Sequence, residues 1–442
     1  MPKHALEPYI LEPARECMPV RELRALQSES LVRGTRRAWE QVPLYRRKFE
    51  EAGVDPGEVR SIEDLPRLPF THKTDLRDTY PFGMLAVPFE RVVRIHASSG
   101  TTGKPTVVAY TRNDLELWAQ MMARALAASG VRPGMVVQNA YGYGLFTGGL
   151  GFHYGAERLG AAVVPISGGN TQRQLLLLQD FASALIVCTP SYALFISEAA
   201  AEEGIDLHDL PVAAGIFGAE PWSGEMRAEI EARWGIRAYD HYGLSEIIGP
   251  GVAHECPGRN GLHIQEDQFI PEIVDPATGQ NLPDGSLGEL VITAVGKEAL
   301  PLVRYRTRDC TRLLREPCQC GRTLSRMEKI AGRTDDMIIV RGVNVFPSQI
   351  ESVLLKFEGL EPHYQILVDR GTSQTDDLEI RVEIPESIRQ DPAKIAQFES
   401  RLSYEISGTL GIRVRLELLP PKSLPRSEGK SQRVIDKRKP NL

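Results

Sequence analysis

Between about residue 90 and residue 250 the sequence repeats one arrangement: a short apolar run ending in small or polar residues, then a longer stretch with helical spacing. The apolar runs are residues 92–98, 135–142, 161–169, 183–191 and 212–220, and residues 113–130 typify the helical stretches between them. A strand that is apolar on both faces must be covered on both, and parallel neighbours need a crossover long enough to hold a helix. The alternation therefore specifies an α/β domain with mostly parallel sheets flanked by helices. Ligands of such sheets bind beyond the carboxyl ends of the strands, where the loops of interest here lie.

A chain of 442 residues exceeds one ordinary core, and its composition changes along its length. Residues 21–52 read as one helical segment. Residues 269–295 read as strand, Gly/Pro-rich turn, strand, which is an antiparallel hairpin and the start of a small β-barrel-like part. From Gly332 onward, strand-like and helix-like runs alternate in a small α+β pattern. The expected division is a large domain over 1–334 and a small C-terminal domain over 335–442. With 52 basic and 58 acidic residues the net charge is -6, which argues against a general nucleic-acid partner. No apolar run is long enough to span a bilayer and the first residues lack a signal-peptide pattern, so a cytoplasmic protein with no membrane partner is expected.

The segment Ser98, Ser99, Gly100, Thr101, Thr102, Gly103, Lys104 follows an apolar run and packs four hydroxyls, two glycines and a lysine together. Glycines bring backbone N–H groups close to an anion, hydroxyls add donors and lysine adds charge, so the segment suits nucleotide phosphates. The plain alternative is a Ser/Gly surface turn. The spacing is not that of a Walker loop. A second loop, Asp240 to Glu246, places a carboxylate, an aromatic ring, a hydroxyl and a second carboxylate within a few residues. Such a set can stack a base, bind a phosphate and offer oxygen to Mg2+; packing of Tyr242 at a domain edge is the competing reading.

The phosphate-type segment resembles the signature loop of the adenylate-forming superfamily, and within it the chain is most similar to the phenylacetate–CoA ligases over essentially its whole length. That resemblance implies an ATP-dependent, AMP-forming ligase that joins an aromatic acid to coenzyme A through an acyl-adenylate. It also implies a mobile small domain. It assigns Asp240 and Tyr242 to adenine, Ser245 to the α-phosphate, Gly243 to the ATP site and Glu246 to Mg2+. Gly218, Ala219, Glu220 and Pro221 would line the other face of the base, and Asp309, which ends the Arg304–Asp309 stretch, would bind the ribose. Arg333 would contact the nucleotide, Asp335 would be the hinge, and Lys430 would drive adenylation. Tyr141, Phe146 and Ile247 would line the acid pocket. Without the resemblance, Lys430 is an ordinary lysine in a polar tail, and the Gly-aromatic segment around Tyr141 reads equally as tight packing.

Phenylacetate is the acid expected; benzoate, indole-3-acetate and hydroxyphenylacetates stay open, because a pocket separates acids differing by one methylene only about 10–200-fold. An adenylating protein that loads a carrier protein is the rival of another class. The oligomeric state is open, a homodimer included. Finally, His254 and Cys256 form one ligand pair and Cys318 and Cys320 another, about sixty residues apart. One imidazole and three thiolates suit a closed, structural Zn2+ site. Three thiols with no metal are the alternative, and the resemblance covers ligases with and without such a zinc.

Overall fold

The computed structural model describes residues 3–98, 105–294, 296–334, 338–340, 343–357, 360, 363–370, 376–426 and 433–437. The chain divides into two compact units. The first holds 1–188, 209–219 and 237–330; the second holds 189–208, 220–236 and 331–442. The C-terminal part of the second unit begins at Ala331, and the unit also takes in two helices of the α/β region. Those helices, Pro190–Glu202 and Gly224–Trp234, are tied to each other by the Trp234 indole N–H donating to the Ala193 carbonyl at 3.0 Å. They are tied to the C-terminal segment by Arg426–Glu198 (3.4 Å) and Lys356–Glu225 (3.2 Å).

In the first unit the strands are β1 (Arg94–Ala97), β2 (Val107–Tyr110), β3 (Val136–Asn139), β4 (Ala162–Val164), β5 (Leu185–Cys188), β6 (Ala214–Phe217), β7 (Arg237–Leu244), β8 (Gly249–Glu255), β9 (Leu262–Ile264), β10 (Ile270–Val274), β11 (Gly288–Ala294), β12 (Leu302–Thr311), β13 (Leu313–Leu314) and β14 (Arg326–Met327). Nine of them form one mixed sheet in the order β13-β14-β9-β8-β7-β6-β5-β3-β4. Its β4-β3-β5-β6-β7 half is parallel and its β7-β8-β9-β14-β13 half antiparallel. β5 and β6 are buried at every residue, as parallel strands covered on both faces must be.

Three expectations need correction. The run at 92–98 is not a strand of the parallel sheet: β1 pairs antiparallel with β2 in a separate two-stranded hairpin. The stretch between them is too short to hold the helix of a parallel crossover. The segment 21–52 is two helices, Val20–Gln41 and Pro43–Glu51, broken at Val42 because a proline disfavours α conformation in the residue before it. The 269–295 hairpin forms as β10 and β11, and β12 extends it. No closed barrel forms among the described residues, since these strands are consecutive neighbours in an open order.

The helix Arg112–Ala128 opens on a capping box. The Thr111 N–H donates to the Asp114 carboxylate at 2.9 Å while the Asp114 N–H donates to the Thr111 hydroxyl at 3.1 Å. Asp114 also accepts from the backbone N–H groups of Glu298 (2.6 Å) and Ala299 (3.0 Å), which pins that loop to the helix start.

In the second unit, strand Tyr364–Arg370 runs antiparallel to Asp376–Glu383 and parallel to Val434–Asp436, and Arg415–Leu419 runs parallel to Asp376–Glu383. Helices Pro347–Lys356 and Pro392–Leu410 contribute Ile350, Leu354, Leu402 and Ile406 to a core shared with Ile366, Val368, Ile380 and Val382. This is the α+β arrangement expected for the C-terminal region. No helix among the described residues is long and apolar enough to cross a membrane.

Candidate active site

The loops that follow β3, β6 and β7 meet at the carboxyl end of the parallel half-sheet. β7 carries Asp240 and Tyr242, and its ladder with β8 slips between Tyr242 and Gly243. A Cβ on Gly243 would stand 2.0 Å from the Gly249 carbonyl, so no other residue fits where the two strands approach. The Asp240 backbone N–H donates to the Glu255 carboxylate at 2.8 Å, which fixes the strand at that residue. The ammonium of Lys329 stands 3.9 Å from the Asp240 carboxylate.

The Tyr242 hydroxyl donates to Asp309 Oδ2 at 2.6 Å, joining two residues assigned to the nucleoside from segments far apart in sequence. Asp309 lies on β12, whose ladder with β11 shifts register twice and whose Arg308 has φ +69°. Such bulges re-aim side chains, and here the carboxylate is brought to β7. The arginines of the same stretch serve other ends: Arg304 forks onto Glu272 with two contacts of 3.0 Å, and Arg306 pairs with Glu289. Arg304 and Arg306 thus tie β12 into its sheet.

Ser245 and Thr147 bring their hydroxyls to 3.1 Å, linking the phosphate-side loop to the segment expected to line the acid pocket. Tyr141 in that segment is buried, stacked on Phe152 at 5.5 Å and edge-on to His241 at 5.9 Å. Ile247 is buried, whereas Phe146 is 44% exposed. Glu246 is buried and pairs with Lys73 at 3.1 Å, a lysine that sequence reasoning missed because nothing in its neighbourhood forms a motif. His241, buried with its Nδ1–H donating to the Phe217 carbonyl at 3.1 Å, is held neutral: burial pulls its pKa down to about 4.

Ser98 is half-buried, and its N–H donates to the Thr106 carbonyl at 3.0 Å, closing the neck of the segment that follows it. Ser99, Gly100, Thr101, Thr102, Gly103 and Lys104 lie outside the described residues, as do Asp335 and Lys430. Gly218 and Ala219 directly follow β6 in the first unit; a Cβ on Gly218 would stand 2.5 Å from His241, and Ala219 has φ +68°. Glu220 and Pro221 belong to the second unit, where Glu220 accepts from the Ser191 N–H at 2.8 Å. Arg333 lies in the second unit on a short strand, Gly332–Arg333. Arg426 and Arg433, on either side of the Lys430 segment, are both anchored. Arg426 forks onto Glu383 at 2.8 and 2.9 Å, and Arg433 bonds the Tyr364 hydroxyl at 3.1 Å and Ser191 Oγ at 2.9 Å.

The metal-type cluster forms with one ligand exchanged. Cys256, His263, Cys318 and Cys320 place one donor atom each within 4.8 Å of one another. His254 is not among them: its Nδ1 stands 3.3 Å from the Gln265 amide, and burial holds the ring neutral. The antiparallel register sets His263 opposite His254 one strand over, and β9 is the strand that pairs with β14, which follows the cysteine turn. The signal in sequence was a histidine following Cys256 after six residues, not one preceding it by two. Cys256 Sγ and Cys318 Sγ are 3.6 Å apart, and Cys320 Sγ is 3.3 Å from His263 Nε2. Four ligands of a tetrahedral zinc at about 2.3 Å would stand about 3.8 Å apart, close to this spacing. His263 Nδ1–H donates to the Leu324 carbonyl at 3.0 Å, which leaves Nε2 facing the thiols as ligation requires.

A sequence profile of AMP-binding enzymes matches residues 78–296, and one of the AMP-binding enzyme C-terminal domain matches residues 342–438. A phenylacetate–coenzyme A ligase of Thermus thermophilus is 52% identical, covering 97% of this chain and 99% of its own length. One of Escherichia coli is 52% identical over 96% of this chain and 97% of its own. Among solved structures, 2-hydroxyisobutyryl-CoA ligase in the postadenylation state superposes with a TM-score of 0.91 at 33% identity, covering 96% of this chain and 92% of that one. With full-length identity at this level and both AMP-binding regions matched, the chain belongs to the phenylacetate–coenzyme A ligase family of AMP-binding enzymes.

Proposed function

We propose that the chain activates phenylacetate with ATP and passes the acyl group to coenzyme A. The observation that carries this reading is the Tyr242–Asp309 hydrogen bond at 2.6 Å beside the Ser245–Thr147 contact at 3.1 Å. It brings Tyr242, Asp309, Ser245 and Thr147 together at one sheet end, which supports reading them as parts of one nucleotide and acid site. Tyr242 stacks on adenine, Asp240 accepts from its amino group, and the Asp309 carboxylate accepts from the ribose hydroxyls. Ser245 and the segment beginning at Ser98 hold phosphate oxygens. The acid carboxylate attacks the α-phosphate, the bond to pyrophosphate breaks, and Lys430 steadies the charge shared by the two anions. The coenzyme A thiol then attacks the mixed anhydride and AMP leaves, after the small domain turns about Asp335.

Glu246, a buried carboxylate already balanced by one cation, fits a Mg2+ that neutralises phosphate charge when bound. Cys256, His263, Cys318 and Cys320 fit a structural Zn2+ that cross-links β9 and the cysteine turn. Tyr141, Phe146 and Ile247 give the acid pocket its aromatic and apolar character. The test is AMP release with MgATP, with and without coenzyme A, over phenylacetate, benzoate, indole-3-acetate and 4-hydroxyphenylacetate. Coenzyme A-dependent turnover fastest with phenylacetate is expected; full turnover without coenzyme A, or preference for another acid, would overturn the reading.

A further inference from the structure

Lys297 is buried, and its ammonium has no hydrogen-bond partner. It rests 4.5 Å from the centroid of the Tyr110 ring, which is stacked on Trp118 at 5.3 Å and anchored by its hydroxyl donating to the Ile248 carbonyl at 2.9 Å. The backbone around it is fixed too: Arg37 donates to the Lys297 carbonyl at 2.7 Å, and the next two N–H groups bond Asp114. The carboxylates of Asp114 and Glu246 attract the charge without bonding it, and burial lowers the pKa to about 8. A ring face compensates a desolvated ammonium only in part, since it offers no acceptor for the three N–H donors.

Lys297 is not the lone orphan here. Tyr110 lies opposite Arg94 and Val108 opposite His96 in the β1–β2 ladder, and Ser98 bonds Thr106 one step further on. Cross-strand partners share a face, so His96, Ser98, Thr106 and Tyr110 line one side of the hairpin. On that side Ser98 Oγ, Thr106 Oγ1 and His96 Nε2 are also buried without a hydrogen-bond partner. The His96 and Tyr110 rings are 5.6 Å apart, and the Lys297 charge disfavours protonation of His96 after burial has already done so. Native proteins leave few buried polar groups unpaired, and several on one face call for a partner that arrives from outside. The ammonium and the two hydroxyls donate, so that partner carries acceptor oxygens; His96 Nδ1–H donates to the Leu145 carbonyl at 3.0 Å, so its Nε2 is an acceptor and is served by a hydroxyl donor, not by the anion.

We infer that Lys297 is the cation of a buried oxyanion subsite on the face of the β1–β2 hairpin. Its ligand is a phosphate oxygen of ATP or pyrophosphate, or the carboxylate of the acid. The inference rests on the proposed ligase activity. It places a second cation, remote in sequence from the Ser98–Lys104 segment, at the reacting anions, and it accounts for a charge that the folded chain alone leaves uncompensated.

Calorimetric titration of wild type, Lys297→Met and Lys297→Gln with magnesium pyrophosphate, phenylacetate and AMP tests it. Methionine keeps the length and apolar stem, and removing an unpaired buried charge should leave the melting temperature of the ligand-free protein equal or higher, which certifies folding. Loss of a charge-assisted hydrogen bond weakens binding about tenfold or more. Such a loss for pyrophosphate, with AMP unchanged, assigns the subsite to phosphate; the same loss for phenylacetate alone assigns it to the carboxylate. Equal affinity of all three proteins for both anions overturns the subsite and leaves the ligase reading standing. Failure of the wild type to bind AMP and pyrophosphate at all would sink both.

Discussion

A hydroxyl donating to a carboxylate at 2.6 Å, as Tyr242 does to Asp309, is a charge-assisted contact that sets geometry as well as energy. Replacing the acceptor charge is the sharpest residue-level probe. For Asp309→Asn we expect the KM for ATP to rise about ten- to hundredfold with a smaller change in kcat, from loss of roughly 1.5–3 kcal/mol. Steady-state kinetics with varied ATP check this, and an unchanged KM would remove Asp309 from the ribose site. At the same scale lie the residues that the sequence did not disclose. Asp240, Tyr242 and Asp309 stand in runs that resemble the family's motifs, and it is that resemblance, not their residue types alone, that assigns them roles. Lys73 and Lys297 are single lysines in ordinary surroundings, and only burial and partners, which are three-dimensional facts, set them apart.

At the scale of elements, β8 links two sites. Glu255 at its end accepts from the Asp240 N–H, and Cys256, the next residue, belongs to the metal-type cluster. Holding the cluster therefore holds the strand that carries Asp240, the residue proposed to accept from adenine. Cys318→Ser, or metal removal by a chelator, should lower the melting temperature by several degrees and raise the KM for ATP more than it lowers kcat. Elemental analysis should find about one zinc per chain in the wild type. A metal-free wild type with unaltered melting would leave the cysteines as plain thiols. The parallel half-sheet was legible because apolar runs and helical spacing repeat locally. The partner of β1 was not, because strand pairing is decided by the length of the connection. His263 was missed for a related reason: the ligand comes from the neighbouring strand, and register is invisible in a linear pattern.

For the molecule as a whole, buried histidines tie stability to pH. His241 has a folded-state pKa near 4 against an ordinary 6.5, so between those values the unfolded chain binds the additional proton. Stability is then fully present above about pH 6.5 and falls as pH drops toward 4, by roughly 3 kcal/mol for a shift of this size. His96 and His254 act in the same sense through burial, while Glu266, raised by burial, opposes them. Melting curves of the ligand-free protein from pH 7 to pH 4.5 should show the decline, and His241→Gln should flatten part of it. A variant as acid-sensitive as the wild type would exclude His241 as a contributor. The broad division into an α/β region and a C-terminal α+β region follows from composition and periodicity, but the grouping of helices Pro190–Glu202 and Gly224–Trp234 with the C-terminal segment is long-range packing, accompanied by ion pairs, that no periodicity announces.

The uncompensated ammonium at Lys297 has a consequence for anyone improving this protein by selection. A library screened for heat resistance alone would favour neutral side chains at that position, because the resting molecule is better off without the charge. Such variants would rank among the successes of the screen while having lost a grip on their anionic substrate, so survival at high temperature and turnover must be scored together.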